Sequence, residues 1–191
     1  MNQTPITIAV LLGTSREKRL SANAAAYVAE TGKSFDDVEI ILVDPKDFDF
    51  PGDGNDPEGK DPRYTDIVNR ADAFFIVTPE YNHSIPGSLK RMLDSEYGPY
   101  FHKPVALAGV SDGPWGGVRV CEALLPVCHR LGMVNILPEL YFPKIKDIFD
   151  GSGNMDPKFT ELYEVNVRKS YDELIWFARL LKAARSDHES R

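Results

Sequence analysis

Four stretches of the chain are apolar without a polar alternation: residues 6–12 (ITIAVLL), 38–43 (VEIILV), 73–78 (AFFIVT) and 105–110 (VALAGV). A weaker fifth is 133–137 (MVNIL). Short, β-branched, nearly continuous runs are the pattern of strands covered on both faces. Between them lie helical patterns. Residues 21–30 are alanine-rich and reach Gly32, a residue suited to a left-handed helix end. A short helix is predicted over 65–71. One over 86–96 has Pro86 in its first turn and closes before Gly98, and one over 117–131 is followed by Gly132. The longest, 157–184, places Tyr163, Val167, Leu174, Ala178 and Leu181 near one face. Pro126 falls inside the fourth helix, where it is expected to kink or break it.

Strict alternation of strand and helix predicts a parallel sheet with helices on both faces. Five strands suit the doubly wound order 2-1-3-4-5, the flavodoxin-like arrangement, built as one domain over 1–191. Residues 44–63 hold seven acids, four prolines and three glycines, and read as a solvated loop. In such a sheet ligands bind beyond the carboxyl ends of the strands, where strand order reverses. The segments after Leu12, Thr78 and Val110 are therefore the ones to inspect.

Composition narrows the function. Lys and Arg total 22 against 29 Asp and Glu, a net charge of −7. An acidic chain argues against nucleic acid or an anionic membrane as partner, since both demand a basic patch. The 6–12 run is too short to span a bilayer and no basic leader precedes it. Two cysteines, Cys121 and Cys128, form neither a disulfide framework nor a zinc motif. His83, His102, His129 and His188 are scattered, so no metal is expected. A reducing, cytoplasmic setting is the natural reading.

The first segment, from Gly13 to Asn23, offers hydroxyls on Thr14, Ser15 and Ser21, the amide of Asn23, and cations at Arg16, Lys18 and Arg19, before a helix N-terminus. Backbone N–H groups and the helix dipole favour an anion there. Ser21 is placed to act as N-cap and as phosphate donor. Neither nucleotide-binding glycine motif is present, so a single phosphate fits better than a triphosphate or pyrophosphate. The second segment, Pro79 to Pro86, brackets Glu80, Tyr81, Asn82, His83, Ser84 and Ile85 between prolines. It reads as a stiff loop whose amides can face a flat polar heterocycle. The third, Ser111 to Arg119, contains Gly113, Gly116 and Gly117, which let backbone approach a ligand, and Trp115, which can cover one. The ordinary readings are a turn with a capping Ser21 and solvated basic side chains for the first, a helix start at Pro86-Gly87 with Lys90 and Arg91 solvated for the second, and a flexible turn before a helix for the third. A lone loop histidine such as His83 is more often not catalytic, and both cysteines read as core.

Together these segments resemble the NADPH-dependent FMN reductase family, a flavodoxin-like group that includes quinone, azo-dye and chromate reductases. Pro79-Glu80-Tyr81-Asn82 followed by Ser84-Ile85-Pro86-Gly87-Ser88-Leu89-Lys90 is the most specific part. The resemblance implies a three-layer α/β sandwich holding FMN. Thr14, Arg16, Ser21 and Asn23 match the phosphate positions, with Ser15 beside them. Pro79, Glu80, Tyr81, Asn82 and Ser84 match the stretch along the isoalloxazine. Gly113, Gly116 and Gly117 match the glycines flanking the ring, next to Ser111. Thr14 stands where serine is more usual, and the first loop is of the longer type.

The resemblance further implies hydride transfer from NADPH or NADH to FMN, then to a small acceptor such as a quinone, free flavin, azo compound or metal oxyanion. Donors near Glu80, Tyr81 and Asn82 would stabilise charge on the reduced ring, and no side chain need act as nucleophile. A homodimer or homotetramer is implied, paired through the helices after strands three and four, where Met92, Leu93, Tyr97, Tyr100 and Phe101 cluster; capping of the chain's own core is the other reading of that cluster. Alternatives are an electron-carrying flavodoxin, against which Arg16 argues, and a regulatory flavoprotein. A phosphoryl-accepting receiver domain lacks its acids, since strand one ends Leu12-Gly13 and strand three Thr78-Pro79.

Overall fold

Side chains alternate across a strand, so a strand with apolar residues at every position must be covered twice. That is what a computed structural model describing residues 5–189, with side chains through Asp187, shows; the side chain of His188 lies outside the described residues. Strands β1 (Ile6–Leu12), β2 (Val38–Val43), β3 (Ala73–Pro79) and β4 (Pro104–Val110) form a parallel sheet in the order β2-β1-β3-β4. Ile8, Val10 and Leu12 join Phe75, Val77, Ala106 and Ala108 under helices α1 (Ser21–Gly32) and α6 (Pro157–Glu189). Ala9 and Leu11 join Phe74, Ile76, Val105 and Leu107 on the other face. That face is covered by α2 (Pro62–Arg70), α3 (Gly87–Asp94) and α4 (Val118–Arg130).

The fifth position of the sheet differs from the pattern. It is divided between β5 (Val134–Asn135) and β6 (Leu140–Phe142), which both pair in parallel with β4. Pro138 has no N–H to donate, and Leu137 between the two pieces is 72% exposed, so the run cannot continue as one ladder. The strand order is 2-1-3-4-5, with β6 as an additional strand beside β4.

Several local expectations are corrected. Gly32 is no left-handed helix end: it lies within α1, where an added Cβ would sit 2.5 Å from Tyr171 Oη, so its lack of a side chain admits α6. Helix α4 passes through Pro126 without a break. Pro126 is exposed, so the carbonyl deprived of its partner faces water. The 44–63 loop is not merely solvated. Phe48 and Phe50 pack around Tyr64 at 5.7 and 5.4 Å between ring centres. Arg91 donates to the carbonyls of Gly54 (2.9 Å) and Gly59 (2.5 Å) and tethers the loop. Met92, Leu93 and Tyr100 are fully buried in the chain's own core, and Tyr100 Oη lies 2.7 Å from Tyr64 Oη. They cannot form a subunit contact; of that cluster only half-buried Tyr97 and exposed Phe101 reach the surface. Cys121 and Cys128 are buried on one face of α4, with thiols pushed up to about 12 by burial.

Candidate active site

The sheet register sets three loops side by side. Leu12 pairs with Val77 and Pro79 with Val110, so the segments after β1, β3 and β4 leave the same edge. Gly13 makes the first junction possible. Its N–H donates to the Val77 carbonyl at 2.8 Å, and an added Cβ would lie 2.2 Å from Thr78 Oγ1. The chain then turns with Thr14 buried, its hydroxyl 2.8 Å from Tyr81 Oη and accepting the Arg16 N–H at 3.2 Å. The first and second loops are thus joined directly.

Helix α1 begins one residue earlier than a Ser21 cap requires. Leu20 is the N-cap, without a side-chain bond, and Ser21 is the first helical residue. The amides of Ala22 and Asn23 are engaged by the carbonyls of Arg19 and Leu20. The Ser21 hydroxyl is buried and has no partner among the described residues. A buried hydroxyl left unpaired costs about 1–3 kcal/mol, and this one stands at a helix start that carries no acid.

The second loop is a tight hairpin. Tyr81 and Ser84 exchange backbone bonds at 3.0 and 2.9 Å, and Asn82 and His83 both take positive φ, +50° and +62°. The Glu80 N–H donates to the Val110 carbonyl. Of the three expected ring donors, the amides of Glu80 and Tyr81 are therefore committed, and only Asn82 N–H has no acceptor among the described residues. The Glu80 carboxylate caps α4, accepting the Arg119 N–H at 3.2 Å with the Arg119 guanidinium 3.9 Å away.

The third loop packs on the sheet. Gly116 and Gly117 have φ of +65° and +85°, and a Cβ on either would meet Tyr141 or Val110 within 2.7 Å. Those two glycines serve packing; Gly113 is the one with open space around it. The Ser111 hydroxyl turns back to the Gly113 carbonyl at 2.9 Å. Strand β6 then brings helix α5 (Ile145–Ile148) alongside, where Lys146 pairs with Asp112 at 2.6 Å.

Between the loops lies a cavity of about 570 Å³, within the range of small-molecule sites. Thr14, Arg16, Ser21, Pro79, Glu80, Tyr81, His83, Ser111 and Gly113 line it. Ser15, Asn82, Ser84, Gly116 and Gly117 are not among its lining, and Ser15, Asn82 and Ser84 are exposed. Asn23 faces the loop around Gly153 instead. Ile145, Lys146, Asp112 and Arg119 line it without having been singled out. Arg119 carried a signal, because a cation in a helix's first turn opposes the dipole; Lys146 carried none, arriving through the β4–β6 pairing. Trp115 stands 68% exposed at the mouth.

Five cations border the cavity. Arg19 is held by Asp44, Arg119 by Glu80 and Lys146 by Asp112. Arg16 and Lys18 are in no ion pair among the described residues. The surplus of two positive charges matches one phosphate monoester, which carries about −1.5 to −2 at neutral pH. With the unpartnered Ser21 hydroxyl and room for a flat ring beside Tyr81, the residues present fit FMN.

Sheet order, loop positions and a cavity whose residues fit FMN are those of a flavodoxin-like flavoprotein. The sequence model for "NADPH-dependent FMN reductase" matches residues 6–147. The chain belongs to the NADPH-dependent FMN reductase family and is an NAD(P)H-dependent oxidoreductase working with FMN. A quinone reductase of Pseudomonas putida is 31% identical over 80% of this chain and 86% of its own length. A 2-hydroxy-1,4-benzoquinone reductase of a Burkholderia species is 32% identical over 83% and 90%. Among solved structures, FerB, a flavoenzyme NAD(P)H:(acceptor) oxidoreductase from Paracoccus denitrificans, superposes with a TM-score of 0.74. It is 25% identical, covering 90% of this chain and 98% of that one.

Proposed function

We propose that the chain is an FMN-dependent NAD(P)H:quinone reductase, acting as one flavin-binding unit on small acceptors in the cytosol. The observation that carries the flavin placement is the buried, unpartnered Ser21 hydroxyl, at a helix start that borders a cavity with two surplus cations. Ser21 and Thr14 donate to the phosphate, and Arg16 adds a charge-assisted bond. Pro79, Glu80 and Tyr81 form the wall along the ring, with the uncommitted Asn82 N–H in the turn beside them. Thr14 fixes the Tyr81 hydroxyl, and Glu80 fixes the start of α4, so the walls on either side of the ring are tied to the phosphate loop. Ser111 and Gly113 border the ring from the third loop, and exposed Trp115 offers a plane for nicotinamide or quinone at the mouth.

FMN, when bound, supplies two-electron exchange between the nicotinamide and the acceptor. The protein's part is to hold, orient and shield the ring, and no side-chain nucleophile is needed. The names of the relatives support a quinone as acceptor. Two unpaired, buried cysteines support a reducing compartment, and no helix among the described residues is long and apolar enough to cross a membrane.

The test is an absorption spectrum of the purified protein, followed by NADPH and NADH oxidation with a benzoquinone, free FMN or an azo dye. A yellow protein with rapid quinone turnover is expected. A colourless protein that neither takes up added FMN nor oxidises either nucleotide would overturn the reading. FMN uptake with slow turnover of every acceptor would assign a carrier or regulatory role instead.

A further inference from the structure

The opposite end of the sheet carries a second cavity, of about 320 Å³, with basic walls. Strands β1, β3 and β4 are each seven residues long, so this cavity, at their amino ends, lies about 20 Å from the flavin cavity. Lys103, immediately before β4, is only 6% exposed. Its Nζ donates to the carbonyls of Val68 (2.7 Å) and Asn69 (3.3 Å) in the last turn of α2. Lys182 and Arg185, one turn apart on α6, both hold the buried Asp72 carboxylate, at 2.8 and 3.1 Å. Asp72 also accepts the Thr7 N–H at 3.1 Å. Lys182 donates once more, to the Pro5 carbonyl at 2.9 Å, and Arg185 to the His102 carbonyl at 2.8 Å.

Fastening α6 to the sheet accounts for part of this arrangement, but a single cation on Asp72 would serve as that latch. Three cations and one carboxylate line the cavity, a surplus of two positive charges. An ammonium has three N–H bonds. Lys103 and Lys182 each spend two on oxygens among the described residues, which leaves each a further donor. The crowding of like charge is felt: burial and then the adjacent Arg185 lower Lys103 to about 8, so it stays charged at neutral pH. An anion lodged among the three cations would offset their repulsion. We infer that this cavity is a second binding site, for a phosphate-type dianion, either the free ion or a small monoester. The charge matches, since a phosphate monoester carries about −1.5 to −2 at neutral pH. The Arg185 guanidinium supplies the planar fork that suits phosphate oxygens. Phe101, 36% exposed, forms an apolar wall for the carbon part of an ester.

Calorimetric titration at pH 7 tests this, on the full chain saturated with FMN so that the flavin cavity is filled. The probes are inorganic phosphate and phenyl phosphate, with sodium chloride at equal ionic strength as the control. One phosphate-type ion should bind per chain, and the tighter probe distinguishes free ion from ester. Lys182→Met discharges the most exposed of the three cations and should weaken binding about tenfold, the worth of one hydrogen bond to a charged group. Asp72→Asn removes the competing carboxylate while keeping its shape. It should tighten binding severalfold even as it loosens the hold on α6. The opposite signs separate a ligand site from a latch, whose loss would lower melting in both variants with no ligand binding to change. Thermal melts confirm that both variants remain folded. If the chain takes up no FMN, the flavin-free chain is titrated with Arg16→Ala alongside. Binding that Lys182→Met weakens and Arg16→Ala spares supports the site, and the reverse puts the phosphate in the other cavity and overturns it. Heats no larger than those of chloride, binding that neither variant alters, or weaker binding to Asp72→Asn would also overturn the inference.

Discussion

Ser21→Ala removes a hydroxyl that is buried without a partner, so its effects on flavin-free and flavin-loaded protein should have opposite signs. In the flavin-free chain the unpaired group costs about 1–3 kcal/mol, which alanine relieves. Alanine is also the better helix former at the first position of α1. For a domain of this size 1 kcal/mol corresponds to about 2–4 °C, so melting should rise by a few degrees. In the loaded protein the variant forfeits a bond to a charged phosphate, about 1.5–3 kcal/mol. Since 1.4 kcal/mol is tenfold in affinity, FMN should bind roughly 10- to 100-fold more weakly. Quenching of flavin fluorescence measures the second effect and circular dichroism melts of the flavin-free protein the first. Asn23→Ala is the control: its side chain faces Gly153 rather than the cavity, so FMN affinity should change by no more than about twofold. Unchanged FMN affinity in Ser21→Ala, or a flavin-free protein that melts lower, would refute the placement of the phosphate.

Tyr100→Phe strands the fully buried Tyr64 hydroxyl and should cost about 1–3 kcal/mol in urea unfolding, whereas adding Tyr64→Phe should recover most of it; equal losses in single and double variants would contradict this. Cys121 and Cys128, held near 12 by burial, should not react with a thiol reagent at pH 8 until the chain unfolds, and rapid labelling of the native protein would count against it. Lys103 is lowered to about 8, first by burial and then by the neighbouring Arg185, while its unfolded value is about 10.4. The unfolded chain thus binds that proton more tightly, so this group makes stability rise with pH between about 8 and about 10.4. Melts of the unaltered chain minus those of Lys103→Met should show that rise, and a flat difference would exclude it.

The four main strands were legible to within a residue, because a run covered on both faces leaves an uninterrupted apolar trace. The fifth was not, because its division at Leu137 and Pro138 depends on which carbonyls of β4 are free to pair. Loop composition pointed to one edge of the sheet, and there Thr14, Arg16, Ser21, Glu80, Tyr81 and Gly113 converge on one cavity. Their individual tasks were less visible. Ser21 reads as a cap in one dimension but sits inside the helix with its hydroxyl unpaired, and the Glu80 and Tyr81 amides look available until Val110 and Ser84 take them.

Periodicity records how much of each residue is buried, and so the sequence by itself determined the strands, their parallel arrangement and the edge from which the three distinctive loops leave the sheet. It does not record what lies across from a residue. Which cations Asp44, Glu80 and Asp112 neutralise, whether Gly32 and Gly116 turn the chain or admit a neighbour, and that Lys146 reaches the site at all are pairings between distant positions. Only the tertiary structure decides them, because the free energy of a contact belongs to two groups at once and neither carries it alone.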